Sequence, residues 1–257
     1  MEVRFLSLGS GSSGNCYYLA TKTCGILIDA GIGIRSIKKI FKDYALNLDT
    51  IRAVLITHDH ADHIKAVGHL AKKHSIPIYS TPEVHAGINR SYCMTEKLDN
   101  AHRRFINKEE TIQIEDFSIT CFEVPHDATD NVGYCISVGD KTFSFITDIG
   151  HITDTAAAYI ERSNYLILEA NYDETMLQMG PYPQHLKARI ASPNGHMSNS
   201  EMANYLAEHL SKDNNHPELA YMTVETAFKQ HGIALDENGV QVIPLKRTTP
   251  SELYSFE

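Results

Sequence analysis

The sequence predicts an α/β fold of two similar halves, with two sheets packed face to face and helices outside. Three observations carry that prediction. Residues 16–20, 21–25 and 26–31 read as strand, turn and strand ending in Asp29-Ala30-Gly31, and residues 133–138, 139–141 and 142–150 repeat the plan, ending in Asp148-Ile149-Gly150. Each Asp-x-Gly is followed by a helix and then a buried strand, residues 51–57 in the first half and 165–168 in the second. No Pro/Gly/Ser-rich tract, long charge block or low-complexity segment interrupts the chain. With 257 residues and 42% hydrophobic content it can bury a full core, and residues 1–257 are read as one domain.

In chain order, the first strand runs into Gly9-Ser10-Gly11-Ser12-Ser13-Gly14-Asn15. The Gly9-x-Gly11-x-x-Gly14 spacing superficially fits a dinucleotide-binding fingerprint, but that fingerprint must open a helix, and Cys16-Tyr17-Tyr18 continues as a strand. The loop is read instead as a tight turn in which Ser12, Ser13 and Asn15 offer hydroxyl, amide and backbone donors to a phosphate. After the strand at 51–57 comes His58-Asp59-His60-Ala61-Asp62-His63. Side chains alternate along a strand, so His58 and His60 point to one side and share a metal. Ile64, Val67, Leu70 and Ala71 have helical spacing, which places Asp62 and His63 in the first turn of a helix as a second ligand pair.

Two histidines leave a metal site incomplete, so further ligands are expected at strand ends downstream. His126 follows the strand at 117–124, and His196 precedes a helix carrying Met202, Tyr205, Leu206 and Leu210. Assigning His58, His60 and His126 to one metal, Asp62, His63 and His196 to the other, and Asp148 as a bridge gives two sites with room for solvent. A hydroxide bridging two metal ions is then the natural nucleophile. Neutral imidazole and carboxylate suit zinc, and the mixed nitrogen and oxygen set also admits manganese or iron. Asp29 lies near the cluster as motif support, with a strand-ending turn as its plainer reading.

Asp62 is the candidate to steer the hydroxide or accept its proton, and His185, then His151, are the candidates for substrate contact or protonation of the leaving group. Lys187 and Arg189 supply phosphate-pairing charge. His69, His74, His85, His102, His209 and His216 are read as surface or locally bonded histidines, and His231 is set apart from them.

A formal charge of −9 provides no broad basic footprint and counts against a protein that coats nucleic acid over a broad surface, but less against an enzyme whose bound divalent ions make its site locally positive. The five cysteines are odd in number and contain no Cys-x-x-Cys, which argues against a disulfide framework and against a thiolate zinc site. The amino terminus does not read as a signal peptide, and no apolar run approaches membrane-spanning length. A cytoplasmic protein without membrane contact is therefore expected. Its oligomeric state is not written in the sequence.

The pattern resembles the metallo-β-lactamase superfamily, which implies an αββα sandwich and a dinuclear site. Asp29 corresponds to the first motif, His58, His60, Asp62 and His63 to His-x-His-x-Asp-His, and His126, Asp148 and His196 to the third, fourth and fifth. Antibiotic-hydrolysing members usually carry Cys where this chain has Asp148. The stretches Gly9 to Asn15, His126-Asp127-Ala128, Leu168-Glu169-Ala170-Asn171-Tyr172-Asp173 and Arg189 to Asn199 resemble the YycJ/WalJ-like group of 5′-to-3′ DNA exonucleases. The chain has no room for the large inserted domain of nucleases such as ribonuclease J. The resemblance implies a metal-dependent phosphodiesterase with nucleic acid as its partner, DNA ahead of RNA. An RNA-processing or small cyclic-phosphodiester hydrolase, a glyoxalase II-like thioester hydrolase and a non-enzymatic binding module are the alternatives.

Overall fold

A computed structural model describes residues 1–209, 218–230, 241–243 and 245–257. Leu210, His216 and His231 fall outside the described residues, as does the side chain of His209. The chain opens with an antiparallel meander of β1 (Val3–Gly9), β2 (Cys16–Ala20) and β3 (Gly25–Ile28). Helix α1 (Ile34–Asp43) crosses to β4 (Ile51–Leu55), which lies parallel to β3. Then come α2 (Ala61–Ile64), α3 (Val67–His74), β5 (Ile78–Ser80), α4 (Pro82–Arg90) and β6 (Arg103–Phe105), with β5 and β6 continuing the sheet in parallel.

The second sheet starts as a meander of β7 (Thr111–Ile114), β8 (Phe117–Glu123), β9 (Val132–Val138) and β10 (Lys141–Ile146). Helix α5 (Asp154–Glu161) crosses to β11 (Tyr165–Leu168), parallel to β10. Helices α6 (Glu174–Met179), α7 (Gln184–Ile190), α8 (Asn199–His209) and α9 (Glu218–Gln230) follow, and β12 (Tyr254–Phe256) returns to pair with β1. The strand orders are β12-β1-β2-β3-β4-β5-β6 and β11-β10-β9-β8-β7. The predicted echo is therefore real in topology: β2-β3-α1-β4 and β9-β10-α5-β11 are the same unit.

Strands covered on both faces sort their side chains by parity. Val3 and Phe5, Tyr17 and Leu19, and Ile26 and Ile28 pack between the sheets against Phe117, Ile119, Tyr134, Ile136 and Phe145. Their neighbours Leu6, Leu8, Tyr18 and Leu27 face outward into a core with α1, α3 and α4. On the far side Phe122, Cys135 and Ile146 meet α5, α8 and α9. Three apolar layers thus separate four structural ones, the αββα arrangement. Helix α1 buries Ile37, Ile40 and Phe41, spaced to share one face, and leaves Lys38, Lys39 and Lys42 outside. Thr81 and Thr153 cap α4 and α5 by accepting from Val84 N and Ala156 N.

One element departs from the sequence reading. Ile64, Val67, Leu70 and Ala71 are all buried as the spacing requires, but they sit on two helices, because α2 ends at Ile64 and α3 starts at Val67. The break has a reason in backbone bonding: Ala66 N donates to Ala30 O at 2.8 Å, and Ala30 N to His63 O at 2.8 Å, so the segment is tied to the end of β3.

Candidate metal centre

Because β3 and β4 are parallel, and β8 and β10 both run antiparallel to β9, the carboxyl ends of β3, β4, β8, β10 and β11 lie at one edge of the sandwich. The loops leaving those ends carry Asp29, His58 to His63, His126, Asp148 and Glu169. Three imidazoles turn Nε2 towards one oxygen: His58, His63 and His126 lie 3.4, 3.3 and 3.6 Å from Asp148 Oδ2. His60 presents its other nitrogen, Nδ1, 3.3 Å from His126 Nε2. The His58 Nε2 atom is buried and has no hydrogen-bond partner. A buried nitrogen without a hydrogen-bond partner is costly, and a metal-ligating role accounts for it.

The Nδ1 atoms of His58, His63, His126 and His196 are each tied down. Asp29, fully buried, accepts from His63 Nδ1 at 2.7 Å and from Thr57 N and Oγ1 at 2.9 and 3.1 Å. With that hydroxyl committed to Asp29, Thr57 Oγ1 accepts from His58 Nδ1 at 3.0 Å, so Asp29 orients two histidines, one of them through Thr57. His126 Nδ1 donates to Gly195 O at 2.8 Å, and His196 Nδ1 to Glu169 Oε1 at 2.8 Å. A carboxylate or carbonyl at Nδ1 keeps the proton there and leaves the Nε2 lone pair facing inward, the usual way of aiming a histidine at a metal.

The electrostatics agree. Burial opposes it, yet Asp29 and Asp148 hold His63 well above the usual imidazole range. Burial and the charge on His63 push His58 well below it. The negative field that favours a proton on His63 favours a cation in its place. Among the described residues, those fit for a metal form two groups, His58, His60, His126 and Asp148 in one, and Asp148, Glu169 and His196 in the other. Glu169 is better read as an orienting residue, since Oε1 accepts from His196 and Asn171 and Oε2 accepts from Ile149 N. Burial and the charge of Asp148 raise its carboxyl to about 7.

Asp62 stands at the rim, Oδ2 3.8 Å from His63 Nε2 and partly exposed. The His196 ring centroid is 4.9 Å from that of His126. Asn15 is buried with Nδ2 2.9 Å from His63 Nε2, so the Gly-rich loop reaches the centre through it. Ser13 is exposed, and Ser12 Oγ accepts from Arg247 Nη2 at 3.1 Å. His151 is exposed and donates from Nδ1 to Pro193 O, while His185, exposed on α7, has no hydrogen bond or ion pair with the cluster. The cations on α7 are engaged elsewhere: Lys187 Nζ donates to Gln178 O at 2.6 Å, and Arg189 forms a two-point ion pair with Asp127. Asp127 Oδ1 is 3.5 Å from His126 Nε2.

The glycine of each Asp-x-Gly has a spatial role. A Cβ on Gly31 would fall 1.5 Å from Asp62 O, and one on Gly150 would fall 2.0 Å from Pro193 O. Each strand end is thus pressed against the backbone of a loop bearing ligand-type residues, Asp62 and His63 in one half and His196 in the other. Sequence reasoning did not single out Glu169, Thr57 or Asp127. Glu169 had a usable signal, a carboxylate at the end of β11 where the first half carries its His cluster.

A family model described as "Beta-lactamase superfamily domain" matches residues 25–213. The exodeoxyribonuclease WalJ of Streptococcus pneumoniae is 32% identical, over 97% of this chain and 98% of its own. Ribonuclease J 1 of Streptococcus pyogenes is 31% identical over 60% of this chain and 30% of its own. Among solved structures, the metallo-β-lactamase fold protein YhfI of Bacillus subtilis superposes with a TM-score of 0.69 at 18% identity, covering 99% of both chains.

Proposed function

The chain belongs to the metallo-β-lactamase superfamily, and on that premise we propose that it is a metal-dependent nuclease whose substrate is DNA, cut from the 5′ end. The observation that carries this reading is the convergence of three Nε2 atoms on Asp148 Oδ2, with each Nδ1 held by a fixed partner. In this proposal His58, His60, His126 and Asp148 hold one divalent ion, and Asp62, His63, Asp148 and His196 hold a second. Zinc or manganese suits that donor set. When bound, such ions supply Lewis acidity at a phosphoryl oxygen and activate water at neutral pH.

The chain's own residues do the positioning. Asp29 and Glu169 keep the imidazoles of His63 and His196 aimed inward. Asp62, half in solvent at the rim, is placed to take a proton from the attacking water. His151 stands just beyond Asp148 in sequence with Nδ1 committed to Pro193 O, so its Nε2 is the nitrogen left for a leaving group. His185 shares its exposure without a fixed partner among the described residues, which makes His151 the better-held candidate of the two. DNA is preferred over RNA because a relative matched over 98% of its length carries an exodeoxyribonuclease name, whereas the ribonuclease J 1 match covers 30% of that protein.

A panel of 5′-phosphorylated DNA, RNA, a cyclic phosphodiester and a thioester, run with metal analysis on the same preparation, tests the proposal. DNA turnover is expected, and Asp148→Ala should abolish it while leaving the circular-dichroism spectrum of the fold. Turnover of RNA or a thioester with inert DNA would overturn the substrate assignment, and full activity in the Asp148 variant would overturn the metal assignment.

A further inference from the structure

A strongly acidic enzyme acting on a polyanion needs local cations where the strand lies, and the two that the sequence pointed to are already engaged. Arg189 is neutralised by Asp127, and Lys187 is bound to a carbonyl. Another cation reaches the Gly-rich loop beside the candidate centre from late in the chain. The segment before β12 runs back along the Gly-rich loop, where Ser10 N donates to Lys246 O at 3.2 Å. Arg247 then lies across the loop: its Nη2 donates to Ser12 Oγ at 3.1 Å, and a Cβ built on Gly11 would meet Arg247 Nε at 3.1 Å and Cγ at 3.4 Å. Gly11 also has φ +152°, a conformation that side chains rarely adopt. Position 11 is therefore glycine for two reasons, its own backbone and the arginine stem laid over it.

The inner side of this loop is the metal centre. Gly11 N donates to Asn15 Oδ1 at 2.8 Å, Asn15 N to Asp62 O at 2.7 Å, and Asn15 Nδ2 is 2.9 Å from His63 Nε2. Arg247 and the ligand cluster thus touch the same short loop, Arg247 through Ser12 and His63 through Asn15, and Ser12 and Ser13 on that loop are exposed. Arg247 is exposed and has no carboxylate partner among the described residues. A surface arginine seated on a hydroxyl, free of acids and beside a candidate hydrolytic centre, has the chemistry of a phosphate contact.

We infer that Arg247, seated on Ser12 across the Gly-rich loop, binds a backbone phosphate of the nucleic-acid strand next to the phosphate being cut. The inference rests on the nuclease reading and adds a subsite to it. The contact is to phosphate, shared by DNA and RNA, so it serves either strand and reads no base.

The test is salt-dependent binding of short single strands, one DNA and one RNA, with phosphorothioate linkages to suppress cutting, to the full-length metal-loaded protein. Losing one phosphate contact lowers the slope of log K against log salt by about 0.7, which makes Arg247→Gln about eightfold weaker near ~50 mM salt and equal to wild type near ~1 M. Arg247→Lys should keep most of the slope, and unfolding temperatures should match across the three proteins. Wild-type slope and affinity in Arg247→Gln overturn the inference, as does an equal weakening at every salt concentration, the mark of a loosened loop. Failure of wild type to bind either strand overturns it too. Cleavage of unmodified strands is scored separately, so a protein that binds through Arg247 but cuts neither strand would sink the nuclease reading alone.

Discussion

His63 stands between two aspartates, with Asp29 at Nδ1 and Asp148 at Nε2, 2.7 and 3.3 Å away. The two carboxylates come from the ends of β3 and β10, the matching strands of the two halves. Their surroundings separate their roles. Asp29 is buried and accepts from Thr57 and His63, whereas Asp148 faces three imidazole nitrogens at once. The plainer reading of Asp29 as a strand-ending turn residue is also satisfied, since its φ is +57°. Orientation through Asp29 and Glu169 makes a measurable prediction. Asp29→Asn and Glu169→Gln should each weaken divalent-metal affinity by about 10- to 100-fold with the fold intact, as loss of such a partner does elsewhere. Competition titration with a chromogenic chelator measures this, and wild-type affinity in both variants would remove the orienting role.

At the scale of elements, the centre depends on how closely strand ends approach the next ligand loop. Gly31 and Gly150 permit that approach, and neither could be assigned such a role from sequence, where each is only a glycine after a strand. Gly31→Ala and Gly150→Ala should each cost about 1–3 kcal/mol by forced overpacking and should lower metal affinity as the Asp62 and Pro193 backbones shift. Ala at Gly33, which has nothing within 4 Å, should cost under about 1 kcal/mol from its N-cap position. Urea unfolding of the three variants gives the comparison, and equal midpoints would refute the packing argument. The division of the helix after His63 into α2 and α3 has the same origin. Side-chain spacing records which residues face the core, but not that backbone bonds from Ala30 interrupt the helix between them.

For the whole molecule, the ligand-type residues come from both halves: His58, His60 and His63 follow β4, while His126 and Asp148 follow β8 and β10 and His196 lies between α7 and α8. A metal held by both groups would staple the sheets across their apolar interface. Ligand binding to the native state alone stabilises it, by about 2.7 kcal/mol at a hundredfold excess over Kd. Chelation should therefore lower the unfolding temperature, and added zinc or manganese should restore it. Scanning fluorimetry with and without chelator measures this, and an unchanged melting temperature would contradict a shared centre. At this scale the acidic charge of the chain also matters, because it offers a polyanion no broad basic surface and would leave favourable contacts to the candidate metal centre and its immediate surroundings.

The sequence by itself determined the doubled strand plan, the His-x-His-x-Asp-His cluster and the ligand-type residues at strand ends, because strand parity and turn chemistry are local properties. It also placed Ser12, Ser13 and Asn15 on the loop that proves to back onto His63. Only the tertiary structure decided which nitrogen each histidine turns inward, since that choice is made by partners far away in the chain: Asp29 for His63, Gly195 for His126 and Glu169 for His196. Only packing revealed that Arg189 is committed to Asp127 and that Arg247 comes to lie over Gly11, 236 residues earlier in the sequence. Local sequence sets what a residue can offer. Contacts between distant segments decide which partner receives it.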